Sequence, residues 1–238
     1  TIRTTPKFKT VEVNESRSCD PLIPVRWGQR SPYGDYCSNG YSGCVATAIA
    51  QIMAYYRFPS SFTTTYTDAP HAGETIALNW TSIISYPYVY QVPALMREIG
   101  QRVEMTYHPI DENDMETGSS AFSYMAPDCL ISFGYSCASG LASYEIASIR
   151  TNLDETHPVY VRANDISEGG HAWIADGYIY SRIGTEYYEE ILIDNGLTLY
   201  YDYILTNSTV QTTNLVHYNW GWNGSCDGYF APGDGVAS

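Results

Sequence analysis

The chain has 238 residues, 44% of them hydrophobic and only 16% charged, which argues against disorder and gives length for one large domain or one domain of two lobes. Twelve Lys+Arg against 26 Asp+Glu give a formal net charge of -14. No basic surface is dense enough to track a phosphate backbone, so nucleic acid and anionic membrane surfaces are poor partners, and no apolar run approaches the roughly eighteen residues of a membrane span.

Residues 1–36 read as irregular, with charge, Pro and Gly scattered through them, and RWGQRSPYGDYCSNGYSG reads as a loop. The chain opens TIRTTPKFKT, without Met or an apolar signal core, as a mature form would, or a segment whose preceding residues have been removed. From Cys44 to about Phe58 the pattern changes to CVATAIAQIMAYYRF, with Val45, Ile49, Ile52, Met53 and Tyr56 at helical spacing. Gly43 precedes this helix, Pro59 ends it, and its apolar content predicts a central position. A Thr-rich loop or short strand follows over 60–75. Further helices are expected near 91–104, 119–132 and 143–154, where Ile146, Ile149 and Leu153 line up.

The character then switches. HPVYVRAND, HAWIADGYIYS, YEEILIDNG, LYYDYIL and LVHYNWGW are short β-branched and aromatic runs, separated by turns at intervals of roughly ten residues. Helices first and an antiparallel sheet second predict an α+β fold. The expected organisation is a single domain over 1–238, mainly helical to about 155 and mainly β from about 156. The 23 tyrosines suit β-rich surfaces and binding clefts.

Six cysteines occur, at 19, 37, 44, 129, 137 and 226, with no C-x-x-C pair to suggest zinc or redox chemistry. Cys129 could bridge Cys137, and Cys19 could bridge Cys37. Geometry decides that, and a quiet buried thiol is an equal alternative. Cys44 differs from the others in opening a helix behind a glycine. A helix N-terminus offers partial positive charge and unpaired N–H groups, which stabilise a thiolate and can hold an oxyanion. Among five histidines, His171 follows two glycines at the start of a strand, where it can face a cleft; His217, beside NWGW, is its rival as base. Asn219 could hold an imidazole in the required tautomer, and Trp220 could shield that contact from water.

These residues carry a resemblance. Ser42-Gly43-Cys44-Val45-Ala46-Thr47-Ala48-Ile49-Ala50-Gln51-Ile52-Met53 closely resembles the catalytic helix of the streptopain family of bacterial papain-like cysteine peptidases. Gly170-His171-Ala172 with Asp176-Gly177-Tyr178 resembles its histidine strand, and Asn219-Trp220-Gly221-Trp222-Asn223-Gly224 with Gly228-Tyr229-Phe230 its third signature. The order agrees, and His171 lies 127 residues after Cys44, near the separation of roughly 130–150 in papain-like enzymes.

The resemblance implies a papain-like fold. A helical lobe would carry the cysteine helix, an antiparallel β lobe the histidine, and the active-site cleft would lie between them. It implies Cys44 as nucleophile and His171 as its partner and general acid/base. Gln29 joins the Cys44 N–H in the oxyanion hole, and Asn219 and Trp220 orient and cover the histidine. Ser119, Ser120, Gly169, Gly170 and Trp222 would border the substrate groove. The second specificity pocket would be apolar. No metal or cofactor is implied. The implied partners are protein or peptide substrates and a removed N-terminal propeptide, and the implied location is secreted or on a bacterial surface. Residues 179–216 are an insertion relative to streptopain and predict a protruding hairpin. Two other classes remain open from the residues: a Cys–His acyltransferase or transglutaminase, and a non-catalytic module that binds through its aromatic residues.

Overall fold

The computed structural model describes residues 7–109, 118–136, 140–165 and 169–231. The chain divides into two compact units, one of Cys19–Tyr178 with Val216–Ser238, the other of Thr1–Ser18 with Ile179–Leu215. The elements run in the order β1 (Phe8–Cys19), α1 (Cys44–Tyr56), β2 (Ser61–Thr63), β3 (Thr75–Ala77), α2 (Trp80–Ser85) and α3 (Gln91–Arg102). There follow β4 (Thr106–Tyr107), β5 (Ser119–Ser120), a 3-10 turn (Ser123–Met125), α4 (Ala126–Ser132) and α5 (Ile146–Asp154). The chain closes with β6 (Val159–Asp165), β7 (Gly169–Asp194), β8 (Leu199–Ser208), β9 (Gln211–Asn219) and β10 (Gly228–Phe230).

Helix α1 is the centre of the larger unit, with every residue from Val45 to Ala54 buried. It ends two residues earlier than the sequence predicts, because Arg57 turns left-handed (φ 52°) and its N–H returns to the Met53 carbonyl. Ile49 and Met53 pack with Leu95, Met96 and Ile99 of α3 in one core that also holds Trp27, Ile83, Leu130 and Ile174. Helix α3 carries a buried charge: Glu98 is 0% exposed, ion-paired to Arg102 at 2.8 Å and accepting from the Thr65 N–H at 2.6 Å. Those partners replace the water that the carboxylate gives up. Helix α5 buries Ile149 and Leu153, four residues apart on one face.

The expected helix over 119–132 is three elements: β5 pairs with β4, then the 3-10 turn leads into α4. Several elements were not foreseen, α2 and β1 among them. α2 is a six-residue helix whose N-cap, Asn79, accepts from the Ser82 N–H. β1 forms within the stretch read as irregular.

In the larger unit β6 runs antiparallel to the start of β7, with Ala163 opposite His171, and β10 runs antiparallel to the end of β9, with Tyr229 opposite His217. β7 is one strand of 26 residues, where the sequence had suggested two runs separated by a turn. In the smaller unit the later part of β7 pairs antiparallel with β8 from Glu186 opposite Ser208 to Asp194 opposite Leu199. The connecting turn is held by Asn195 Oδ1, which accepts from the N–H groups of Leu197 and Thr198. β1 pairs with β7, and the Thr185 hydroxyl donates to the Glu12 carboxylate. All ten residues of β8 are exposed.

Cys19 and Cys37 are both free thiols, so the bridge between them is not made, and Cys129 is a free thiol buried in the core. Cys137 lies outside the described residues.

Candidate active site

The site is built on the first turn of α1. Gly43 takes φ 83°, a left-handed conformation, and a Cβ there would lie 2.8 Å from Met105 Cε. Glycine meets both demands, and it lets the chain turn sharply so that Cys44 is the first helical residue. The Cys44 thiol then lies among three backbone N–H groups, its own and those of Val45 and Ala172. Ala172 follows His171, so this contact sets the helix start against the histidine strand. Burial pushes the Cys44 thiol pKa up, and the three N–H groups act in the opposite sense.

His171 is enclosed by indoles. Its ring centroid is 4.8 Å from that of Trp222, 5.9 Å from Trp173 and 6.0 Å from Trp220. Burial lowers the imidazole pKa below the ordinary histidine value, and the Trp220 carbonyl opposes that shift. Nε2 lies 3.0 Å from this carbonyl oxygen. A carbonyl only accepts, so Nε2 carries the proton and Nδ1 keeps its lone pair.

The Asn219 amide makes other contacts. Its Oδ1 accepts from Gln51 Nε2 at 3.0 Å and from the Gly221 N–H at 3.1 Å, while Nδ2 donates to the Val25 carbonyl at 3.0 Å. The expected direct bond to the imidazole is replaced by a bond one peptide away: the Gly221 N–H belongs to the same peptide plane as the Trp220 carbonyl that faces His171. Asn219 thus orients the carbonyl, and the carbonyl orients the ring. Gly221, at φ 73°, permits this corner. On the other side of Trp220, its N–H donates to Asp227 Oδ1 at 2.9 Å.

Two residues missed in the sequence hold this arrangement. Gln51 and Thr47 are both 0% exposed on α1, three and seven residues after Cys44 in the order Thr47, Gln51, and so share its face. Gln51 Oε1 accepts from the Trp27 N–H at 3.0 Å, so one side chain ties the segment before Gln29 to the segment around Trp220. The Thr47 hydroxyl lies within hydrogen-bond reach of the Gly28 and Gly43 carbonyls and of Ser42 Oγ. The available signal was two polar residues four apart in a helix otherwise made of Ala, Ile, Val and Met. Tyr160 is a third: its phenol donates to Ser123 Oγ at 3.0 Å and lies close enough to Cys44 to feel its charge.

Gln29 joins Arg30, Tyr41, Gly221, Trp222 and Asn223 in lining a cavity of about 300 Å³, and its own carbonyl accepts from the Ser42 N–H at 2.8 Å. Ser119 packs behind Gly43, and its hydroxyl donates to the Tyr41 carbonyl at 2.7 Å; the Ser120 hydroxyl lies 2.8 Å from His108 Nε2. Both hydroxyls therefore brace loops. Gly170 pairs with Asn164 and Gly169 with Asp165. Trp222 is 43% exposed. His217 has different company: its Nδ1 lies 2.6 Å from Asp176 Oδ1, and its ring meets Tyr229 edge-on. Among the described residues no group of His, Cys, Asp and Glu could hold a metal ion, and no helix is long and apolar enough to cross a membrane.

Comparison with known proteins gives the family and the fold. Residues 27–230 match the sequence profile of the peptidase C10 family. Streptopain of Streptococcus pyogenes is 26% identical over an alignment that covers 93% of this chain and 53% of that protein, so the chain spans about half the length of this relative. Active wild-type interpain A, a cysteine protease of Prevotella intermedia, superposes with a TM-score of 0.56 at 23% identity, covering 90% of this chain and 85% of that one. A mutant fragment of prointerpain A from the same organism superposes at 0.54 and 24% identity, covering 90% and 65%. The fold is that of these proteases, and the chain belongs to the peptidase C10 family, the streptopain-like cysteine peptidases.

Proposed function

We propose that this chain is the mature catalytic part of a secreted bacterial cysteine endopeptidase that cleaves peptide bonds through an acyl-enzyme on Cys44. One observation carries the reading: the Cys44 thiol, at a helix start, meets the N–H of Ala172 beside a histidine whose tautomer is set by the Trp220 carbonyl. The helical part and the antiparallel part of the larger unit act as the two sides of a papain-like cleft.

Burial favours the neutral form of both groups, since the thiol pKa is raised and the imidazole pKa lowered. Cys44 gives its proton to Nδ1 of His171, and the thiolate attacks the scissile carbonyl. The S–C bond forms and the carbonyl electron pair moves onto oxygen, held by the Cys44 N–H and the Gln29 side-chain amide. The imidazolium then passes its proton to the amine nitrogen as the C–N bond breaks. Water enters, His171 takes one of its protons, hydroxide displaces sulfur, and the thiol is restored. Trp222 and Trp220 keep bulk water from the imidazole. Ser119, Ser120, Gly169 and Gly170 border the acyl side of the groove. The homology to prointerpain A supports synthesis as a zymogen with an N-terminal propeptide.

The test is digestion of casein and of a fluorogenic peptide by the unsubstituted chain, Cys44→Ala and His171→Ala. Each substitution should lower turnover by on the order of 10⁴-fold or more. A thiol-directed epoxide should label Cys44 once, and only with His171 present. Retained digestion by Cys44→Ala, or transfer to an added amine exceeding hydrolysis, would overturn the reading.

A further inference from the structure

The cavity beside the reaction centre is lined by Gln29, Arg30, Tyr41, Gly221, Trp222 and Asn223. Two of its walls belong to the chemistry above, Gln29 at the oxyanion and Trp222 against the His171 ring. His171 delivers its proton to the departing amine. The C-terminal half of the substrate therefore leaves past the imidazole and its Trp222 cover, and its first residues reach this cavity.

Arg30 is exposed, and its guanidinium lies 4.9 Å from the centroid of the Tyr41 ring. Stacking on that ring occupies one face of the planar cation and leaves its N–H edge free for an acceptor. Among the described residues no carboxylate pairs with it. Asp and Glu outnumber Lys and Arg by 26 to 12 in this chain, yet none of the six residues that line the cavity is acidic. Gln29 and Asn223 are neutral amides, and Trp222 and Gly221 supply apolar surface. The cavity thus offers one fixed positive charge, two amides and an aromatic floor.

We propose that this cavity is a leaving-side subsite that selects an acidic side chain, Asp or Glu, in the first two residues after the scissile bond, with Arg30 as the specificity-determining residue. The inference rests on the cysteine-peptidase reading. A carboxylate meets the guanidinium edge through paired N–H···O bonds, a geometry that neither Gln nor Lys in the substrate reproduces. The overall negative charge of the protein opposes an acidic substrate at long range, so the preference comes from this local contact.

Two measurements separate this inference from the reading beneath it. The first is cleavage of fluorogenic peptides that differ only in carrying Glu, Gln or Lys at the two positions after the scissile bond. Glu should exceed Gln in kcat/KM by roughly three- to tenfold and Lys by more. Arg30→Gln should bring the Glu-to-Gln ratio to near one, and Arg30→Lys should keep part of it. The second is binding of the corresponding leaving-half peptides to Cys44→Ala, read from the fluorescence of the tryptophans. Glu should bind more tightly than Gln, with a difference that shrinks at high salt. Equal binding of the Glu and Gln peptides, or a ratio unmoved by Arg30→Gln, would overturn the inference whether or not the chain cleaves. Absence of cleavage by the unsubstituted chain with the binding preference intact would overturn the reading of this chain as an active peptidase and the leaving-side role with it, keeping only carboxylate binding at Arg30.

Discussion

Helix α1, of 13 residues, and strand β8, of 10, are opposite in design. Ten of the thirteen residues of α1 are buried, Thr47 and Gln51 among them, whereas β8 is exposed from end to end. In the larger unit Thr47, Gln51, Glu98 and Asn219 are buried, and each makes the hydrogen bonds named above. In the smaller unit they face water and pair across strands, as Thr185 does with Glu12, or along one strand, as Arg182 does with Glu186. A buried hydrogen bond that loses one partner leaves the other unsatisfied, while an exposed one is replaced by water. Substitutions in the two regions should therefore differ in kind, and four experiments can break or sharpen the contrast.

The largest effect is expected at Gln29. On the proposed mechanism Gln29→Ala removes an oxyanion donor and should lower kcat by about 10²–10³-fold. Because the Gln29 backbone carbonyl accepts from the Ser42 N–H and survives the substitution, the thermal midpoint should move little; a loss of several degrees would make Gln29 a structural residue. Next comes Gln51→Ala, which strips partners from the Trp27 N–H and from Asn219 Oδ1. Urea unfolding should show a loss of about 2–3 kcal/mol, and kcat should fall because the Trp220 carbonyl is no longer held.

The third concerns alkali. Burial pushes the Cys37 thiol up to about 11 and the Cys129 thiol up to about 12. The unfolded chain ionises these thiols from about pH 9 while the folded chain keeps them protonated, so the folded state binds more protons and stability falls as pH rises. The loss should be complete only above the folded values, on the order of 3 kcal/mol for Cys37 and 4 kcal/mol for Cys129. Urea midpoints from pH 8 to 11 should decline less steeply in Cys37→Ala than in the unsubstituted chain. The smallest effect is expected in the ribbon. Replacing Leu192–Tyr201 with a short turn should change stability by less than about 1 kcal/mol, as read from urea unfolding, because exposed strand residues bury little. A larger loss would show that the contrast in burial does not extend to energetics.

What could be read in the sequence follows the same division. α1 and the ends of α3 and α5 were legible because apolar residues at helical spacing report burial directly. So was the company of Cys44, His171 and Trp220. β1 was not, since its partner β7 lies some 160 residues on and nothing local marks the pairing. The continuity of β7 was hidden by the stretch around Gly184, which reads as a turn between HAWIADGYIYS and YEEILIDNG but lies within the strand. The contacts of Asn219 were half legible: residue type and position pointed to the histidine. That its amide acts through the next peptide depends on Gln51, 168 residues earlier, which no local pattern could link to it.

That tie has a consequence for the order of events during synthesis. Asn219 closes against Gln51 and against Val25, separated from it by 168 and 194 residues. Contacts of such span form late, because the entropy of closing the loop is lost before any contact compensates it. A nascent chain that already displays Cys44 on a formed helix still lacks the peptide that fixes the tautomer of His171. On the proposed mechanism the nucleophile is made early and its base is oriented last, so an unfinished chain carries a thiol without the means to use it.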